Sequence, residues 1–187
     1  MESISISQAL ELKSRIFVDV RSPQEFETDH IYGAVNIPIL DNEERAIIGT
    51  LYKNKGKEHA VETGLEFVAP KLKEIFTQIK GLSEEYEDVI IYCLRGGMRS
   101  SSVVDFVNSC GLRTIKLEGG YKHYRNHVIT TLENLRDDFT FAVLHGHTGI
   151  GKTEMLMELE KRGMAIIDLE YYARNSGSVF GGIYYTS

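Results

Sequence analysis

The sequence predicts an α/β protein: a mostly parallel sheet in a first domain, then the first βαβ part of a second. Three observations predict it. Short apolar runs suited to buried strands alternate with longer segments whose apolar residues recur every three or four positions. A cysteine stands between one such run and a helix, in Tyr92-Cys93-Leu94-Arg95-Gly96-Gly97-Met98-Arg99-Ser100. After the charged break Arg136-Asp137-Asp138 the pattern restarts around Gly146-His147-Thr148-Gly149-Ile150-Gly151-Lys152-Thr153. Residues 1–136 therefore read as one domain and 137–187 as the N-terminal part of another.

Composition narrows the classes. With 187 residues and ordinary apolar content, the chain can bury a core. No apolar run is long enough for a transmembrane helix, so no membrane partner is expected. The first residues carry no charged and apolar leader, and the two cysteines, Cys93 and Cys110, read as reduced thiols of a cytoplasmic protein. Cys110 is expected to pack as a small hydrophobe. The net charge of −6 excludes a surface that is basic everywhere. Between Val89 and Arg125, however, Arg95, Arg99, Arg113, Lys116, Lys122 and Arg125 face only Asp105 and Glu118. An anionic partner could dock near Cys93; an uneven solvated surface is the other reading.

In chain order, a short helix is expected over 7–13 and a strand over 16–20. Ser22 can cap the next helix, with Pro23 at its first position. Asp19 and Arg21 read as an ion pair beside the active-site face, and His30 as a hydrogen-bonded turn residue. A helix over 42–53 should turn Ile47, Ile48 and Leu51 inward. Asn54-Lys55-Gly56-Lys57 is a basic break. Residues 58–80 read as largely helical, with interruptions at Gly64 and Pro70, and 81–88 as an acidic loop. Val89 to Tyr92 is the central strand, and a helix with serines at its start follows over 100–107. A strand over 113–117, a Glu118-Gly119-Gly120 turn and a helix over 121–135 complete the first domain. In the second, strands are expected over 139–145 and 164–168, around a helix over 154–162.

Cys93 is the candidate nucleophile. Ligands of parallel sheets bind at the carboxyl ends of strands, where Cys93 sits. Loop amides and a helix N-terminus beside it favour thiolate over thiol. Arg95 and Arg99 add charge, and the loop Arg95, Gly96, Gly97, Met98, Arg99 can cradle an oxyanion. A buried structural cysteine is the alternative, but packing alone does not call for two glycines and two arginines in so short a stretch.

The second motif fits G-x-x-x-x-G-K-[ST] in the strand–loop–helix context that it requires. The backbone around Gly146, Gly149 and Gly151 can bind phosphate, Lys152 can reach a further oxygen, and Thr153 can ligate magnesium. Asp168 and Glu170 could hold a metal or polarise a water; Asp168 could instead cap a helix.

Together these residues resemble a known family. Asp19-Val20-Arg21-Ser22-Pro23, Glu25-Phe26, His30-Ile31, Gly33-Ala34 and Asn36-Ile37-Pro38, then Cys93, look like a rhodanese domain. Followed by a phosphate loop, and with Leu117-Glu118-Gly119-Gly120-Tyr121-Lys122 and Asp168-Leu169-Glu170, the chain is similar to tRNA 2-selenouridine synthases. The resemblance implies a rhodanese-like parallel-sheet domain followed by the start of a P-loop NTPase-like domain. It implies a selenotransferase acting on wobble 2-thiouridine in tRNA. Geranyl diphosphate alkylates the sulfur, selenophosphate replaces it with selenium, and Cys93 serves the selenation step. No tightly bound cofactor is expected.

Two departures accompany it. Cys93 and Arg99 enclose five residues, the C-x5-R spacing of cysteine phosphatases, where sulfur-transferring rhodaneses usually have a loop one residue shorter. The family also runs well beyond residue 187, and Arg174-Asn175-Ser176-Gly177-Ser178 departs from its His-Arg-Gly-Ser pattern. The expectation is a chain truncated in its second domain. The alternatives are a stand-alone rhodanese-type sulfurtransferase or C-x5-R phosphatase, or an inactive fragment needing a partner chain to complete the P-loop domain.

Overall fold

The computed structural model describes residues 2–135, 138–147 and 149–173. It divides into two compact units, Met1–Arg136 and Asp137–Ser187.

The first unit is built on five parallel strands: β1 (Ser3–Ile4), β2 (Arg15–Asp19), β3 (Val35–Asn36), β4 (Asp88–Tyr92) and β5 (Thr114–Leu117). Their order is β1-β5-β4-β2-β3, so β4 is central. Because side chains alternate along a strand, β4 serves two cores. Val89, Ile91 and Cys93 face one, with Val103, Val104 and Val107 of helix α6 (Met98–Ser109) and Ile75 and Ile79 of α5 (Leu72–Glu85). Ile90 and Tyr92 face the other, with Ile6 and Ala9 of α1 (Ile6–Glu11) and Tyr121 of α7 (Gly120–Leu135). A fully buried side chain such as Ile79 stabilises the fold by about 1.5–3 kcal/mol. This layering lifts the end of β4, and Cys93 after it, to the carboxyl edge of the sheet.

Helix α2 (Pro23–Thr28) starts as expected, with Ser22 as N-cap and Pro23 first. Helix α3 (Asn42–Lys55) begins at Asp41, whose carboxylate accepts from the Glu44 N–H at 2.8 Å. With α4 (Lys57–Val68) it forms a hairpin that turns at Gly56. A 3-10 turn over Ala69–Lys71, holding Pro70, links α4 to α5.

Several expectations are corrected. Gly64 lies inside α4 without breaking it. The acidic stretch 81–85 continues α5, because Leu82 packs against the core one helical turn beyond Ile79. Helix α6 starts at Met98 rather than at the serines, with Gly97 as N-cap. Ile47 is 46% exposed, since α3 packs chiefly on α4. Cys110 is exposed at the end of α6, where the chain leaves the core. Strand β1 carried no sequence signal; it is two residues long and is held by the edge of β5.

In the second unit, α8 (Lys152–Lys161) and α9 (Leu169–Tyr172) form. The expected strands over 139–145 and 164–168 do not, among the described residues. An apolar run becomes a strand only where a neighbour takes its N–H and C=O groups, and Phe139, Phe141 and Val143 remain exposed. Residues 174–178 lie outside the described residues.

Candidate active site

Cys93 ends β4 and is buried. Its Sγ lies 3.2 Å from Ser100 Oγ, and Ser100 in turn donates to the Gly97 carbonyl at 3.2 Å. Ser100 is fully buried in the first turn of α6, so the strand end and the helix start share one polar contact. The N–H groups of Arg95, Gly96, Gly97 and Met98 make no hydrogen bond among the described residues. They are the open donors that an anion beside the sulfur would need. Arg95 and Met98 are exposed at the loop's rim.

The loop is held from below by the Gly119-Gly120 turn. The N–H groups of Tyr121 and Lys122, at the start of α7, donate to the carbonyls of Cys93 (2.9 Å) and Leu94 (3.0 Å). Gly120 has φ +57°, and a Cβ there would stand 2.1 Å from the Cys93 carbonyl oxygen. Only glycine meets both demands.

Arg99 is placed differently from the anion-holding role the sequence suggests. Its guanidinium forks onto Glu25 of α2, at 2.7 and 3.3 Å. The Ser22 N–H donates to the same carboxylate at 3.3 Å, and Arg45 of α3 stands 3.6 Å away. Burial would raise the Glu25 pKa; Arg99, Ser22 and Arg45 overcome this and hold it below the usual glutamate value.

Beneath lies a buried ion pair. Arg21 Nη2 meets Asp19 Oδ2 at 2.7 Å, with both side chains almost fully buried. The Arg21 guanidinium sits 4.4 Å from the Tyr121 ring centroid and donates to the Asp29 carbonyl. Burial works against the charge of Arg21, but Asp19 more than restores it and raises its pKa. The Tyr121 hydroxyl donates to the Asp29 carboxylate. Burial and that bond push the Tyr121 pKa up to about 12. Burial also raises the Tyr92 pKa, with the Asp19 charge adding to it. His30 stacks on Phe26 and bonds the Phe26 carbonyl at 2.8 Å, the turn role its position suggested.

In the second unit, Gly149 and Gly151 have φ of +84° and +85°, and Gly151 is the N-cap of α8. Lys152 Nζ folds back onto the carbonyls of Gly146 (3.0 Å) and His147 (2.9 Å), two consecutive residues at the start of the loop. Thr153 is exposed in the first turn of α8. Asp168 caps α9, accepting from the Tyr171 N–H at 3.0 Å, and Glu170 is exposed in that helix. Among the described residues no group of His, Cys, Asp or Glu is arranged to hold a metal ion.

Comparison with known proteins fits this geometry. Residues 5–127 match the rhodanese-like domain model, and the chain belongs to that family. Residues 139–186 match the AAA domain of tRNA 2-selenouridine synthase, which narrows the relationship to one group of proteins. The tRNA 2-selenouridine synthase of Nitrosomonas eutropha is 37% identical over 167 residues, covering 89% of this chain and 43% of the relative. That of Bdellovibrio bacteriovorus is 39% identical over 165 residues, covering 88% and 43%. The chain thus spans less than half the length of these relatives. A crystal structure of the N-terminal domain of a proposed ATP/GTP binding protein from Clostridium difficile 630 superposes with a TM-score of 0.67. It is 47% identical and covers 68% of this chain and 99% of that one.

Three site residues escaped the sequence reading. Ser100 was visible only as part of a serine-rich helix start. Glu25 had a signal, the Ser22-x-x-Glu25 capping pattern, but that pattern does not name Arg99 as partner. Gly120 was read as a turn residue; its closeness to the Cys93 carbonyl is a tertiary fact.

Proposed function

We propose that this chain takes part in making 2-selenouridine in tRNA, with Cys93 serving the selenation step. The observation that carries it is a buried cysteine thiol at the carboxyl end of the central strand, followed by a loop whose four N–H groups have no hydrogen-bond partner among the described residues. In the proposed sequence the sulfur of a wobble 2-thiouridine attacks carbon 1 of geranyl diphosphate, and diphosphate leaves. Alkylation makes that sulfur a good leaving group. Selenium from selenophosphate then bonds to carbon 2 of the uridine, geranylthiol departs, and water takes up the phosphoryl group. The loop N–H groups suit the tetrahedral anion of selenophosphate, and Arg95 adds charge at the rim. The glycine loop of the second unit, with Lys152 and Thr153, suits the diphosphate and, with it, magnesium.

The engagement of Arg99 with Glu25 speaks against a C-x5-R phosphatase. That chemistry needs the arginine fork on the phosphate, so Arg99 would first have to turn from the Glu25 carboxylate that it meets here.

The test is selenium incorporation into a 2-thiouridine tRNA supplied with selenophosphate and geranyl diphosphate, comparing the chain with its Cys93→Ala variant. Cys93-dependent product is the expected result. Product only from pre-geranylated tRNA would limit this chain to selenation and assign alkylation to the part that its longer relatives add. No product from either substrate would overturn the proposal, and favour a chain that acts only with a partner.

A further inference from the structure

The α3–α4 hairpin contributes few buried residues. No residue of α3 is buried, and α4 buries only Ala60. Its base stands at the rim of the active site, where Arg45 meets Glu25 at 3.6 Å and Lys71 meets Glu44. Its tip is Tyr52, Lys53, Asn54, Lys55, Gly56 and Lys57, and all six are exposed. Along α3 at 1.5 Å per residue, the tip lies roughly 10–15 Å from Arg45.

Helix stability explains only part of the charge at this tip. None of Lys53, Lys55 and Lys57 makes an ion pair among the described residues. Lys53 and Lys55 lie in the last turn of α3, where cations complement the helix dipole. Lys57 opens α4, where the dipole disfavours a cation. Three lysines therefore fall within five positions at this turn, one of them electrostatically misplaced, on a chain whose net charge is −6. Tyr52, 59% exposed, adds an aromatic ring to the cluster. A flexible set of ammonium groups around an exposed ring fits a polyanion with stackable bases.

We infer that the α3–α4 tip is an RNA-docking surface, at which Lys53, Lys55 and Lys57 grip the phosphate backbone while the target nucleotide enters the Cys93 loop. This rests on the tRNA reading above and gives that reading a place of contact. The basic residues around Cys93 leave room for such a second contact. Arg99 is committed to Glu25 and Arg113 pairs with Glu2, so fewer cations are free there than the sequence suggested.

The test uses the whole chain and a 2-thiouridine tRNA, with affinity measured between about 50 and about 200 mM salt. Changing Lys53, Lys55 and Lys57 together to Gln should weaken binding about ten- to a hundredfold at the low-salt end. It should also reduce the slope of log K against log salt by about two to three. The triple Lys→Arg variant should bind like the parent. Unchanged far-ultraviolet dichroism and an unchanged rate of Cys93 alkylation would show that the Gln variant is folded. Equal affinity and slope for the Gln variant would overturn the inference, as would lysine-dependent binding to anionic vesicles with none to tRNA. Lysine-dependent tRNA binding without Cys93-dependent selenouridine would keep this surface and reject the proposed reaction. Full selenouridine formation by the Gln variant would do the reverse.

Discussion

Glu25 and Arg99, 74 residues apart in sequence, are joined by a forked ion pair that ties helix α2 to the first turn of α6. This bond decides which cations beside Cys93 are free. It also predicts an acid-sensitive element. The folded carboxyl has a lowered pKa, so below the ordinary value of about 4.3 the unfolded chain binds more protons than the folded one. Stability is therefore present above that pH and is lost as pH falls through the lower, folded value. Glu25→Gln should flatten this decline in denaturant titrations. At neutral pH it should cost about 1–2 kcal/mol, since both side chains are partly exposed. It should also free Arg99, so that phosphate protects Cys93 from alkylation at several-fold lower concentration.

Two glycines with similar backbones should respond differently to alanine. Gly33 has φ +76° and open space around it, so Gly33→Ala should cost about 1–2 kcal/mol for the left-handed backbone alone. Gly120→Ala adds a clash with the Cys93 carbonyl and should cost roughly 2–5 kcal/mol. Urea midpoints of the two variants check the order.

Ser100→Ala should leave the sheet intact and slow iodoacetamide alkylation of Cys93 at neutral pH. The Ser100 hydroxyl is the side-chain group hydrogen-bonded to the sulfur, and its one proton, which rests on the Gly97 carbonyl, can turn to a thiolate. A rate equal to or above that of the parent would show that this contact does not favour the reactive form.

Tyr121 reports on the alkaline side. Its folded pKa is raised to about 12 from an ordinary 10.0, so the folded chain keeps a proton that the unfolded chain gives up. Its share of stability is present below about pH 10 and is lost as pH rises to about 12. Tyr121→Phe should lose less stability than the parent across that window, while being less stable below it through the lost bond to Asp29. Denaturant midpoints at stepped pH distinguish the two effects.

The central strand, the glycine loop after it and the Ser22-Pro23 helix start were legible because each is written in adjacent residues. The Asp19–Arg21 pair was legible for the same reason, being two positions apart. What was not legible depends on distant partners. Strand β1 exists because β5 offers it an edge. Arg99 turns from the loop because Glu25 arrives from α2. The apolar runs at 139–145 and 164–168 have strand composition, but the described residues supply no neighbour to pair with them.

Both outer strands of the sheet, β1 and β3, are only two residues long. Each flank therefore shows a few unpaired backbone groups, too few to template a further strand from another molecule. A parallel sheet folds slowly and is exposed to misassembly while it forms. Its shortened borders give this one a built-in resistance to growing sideways into aggregates.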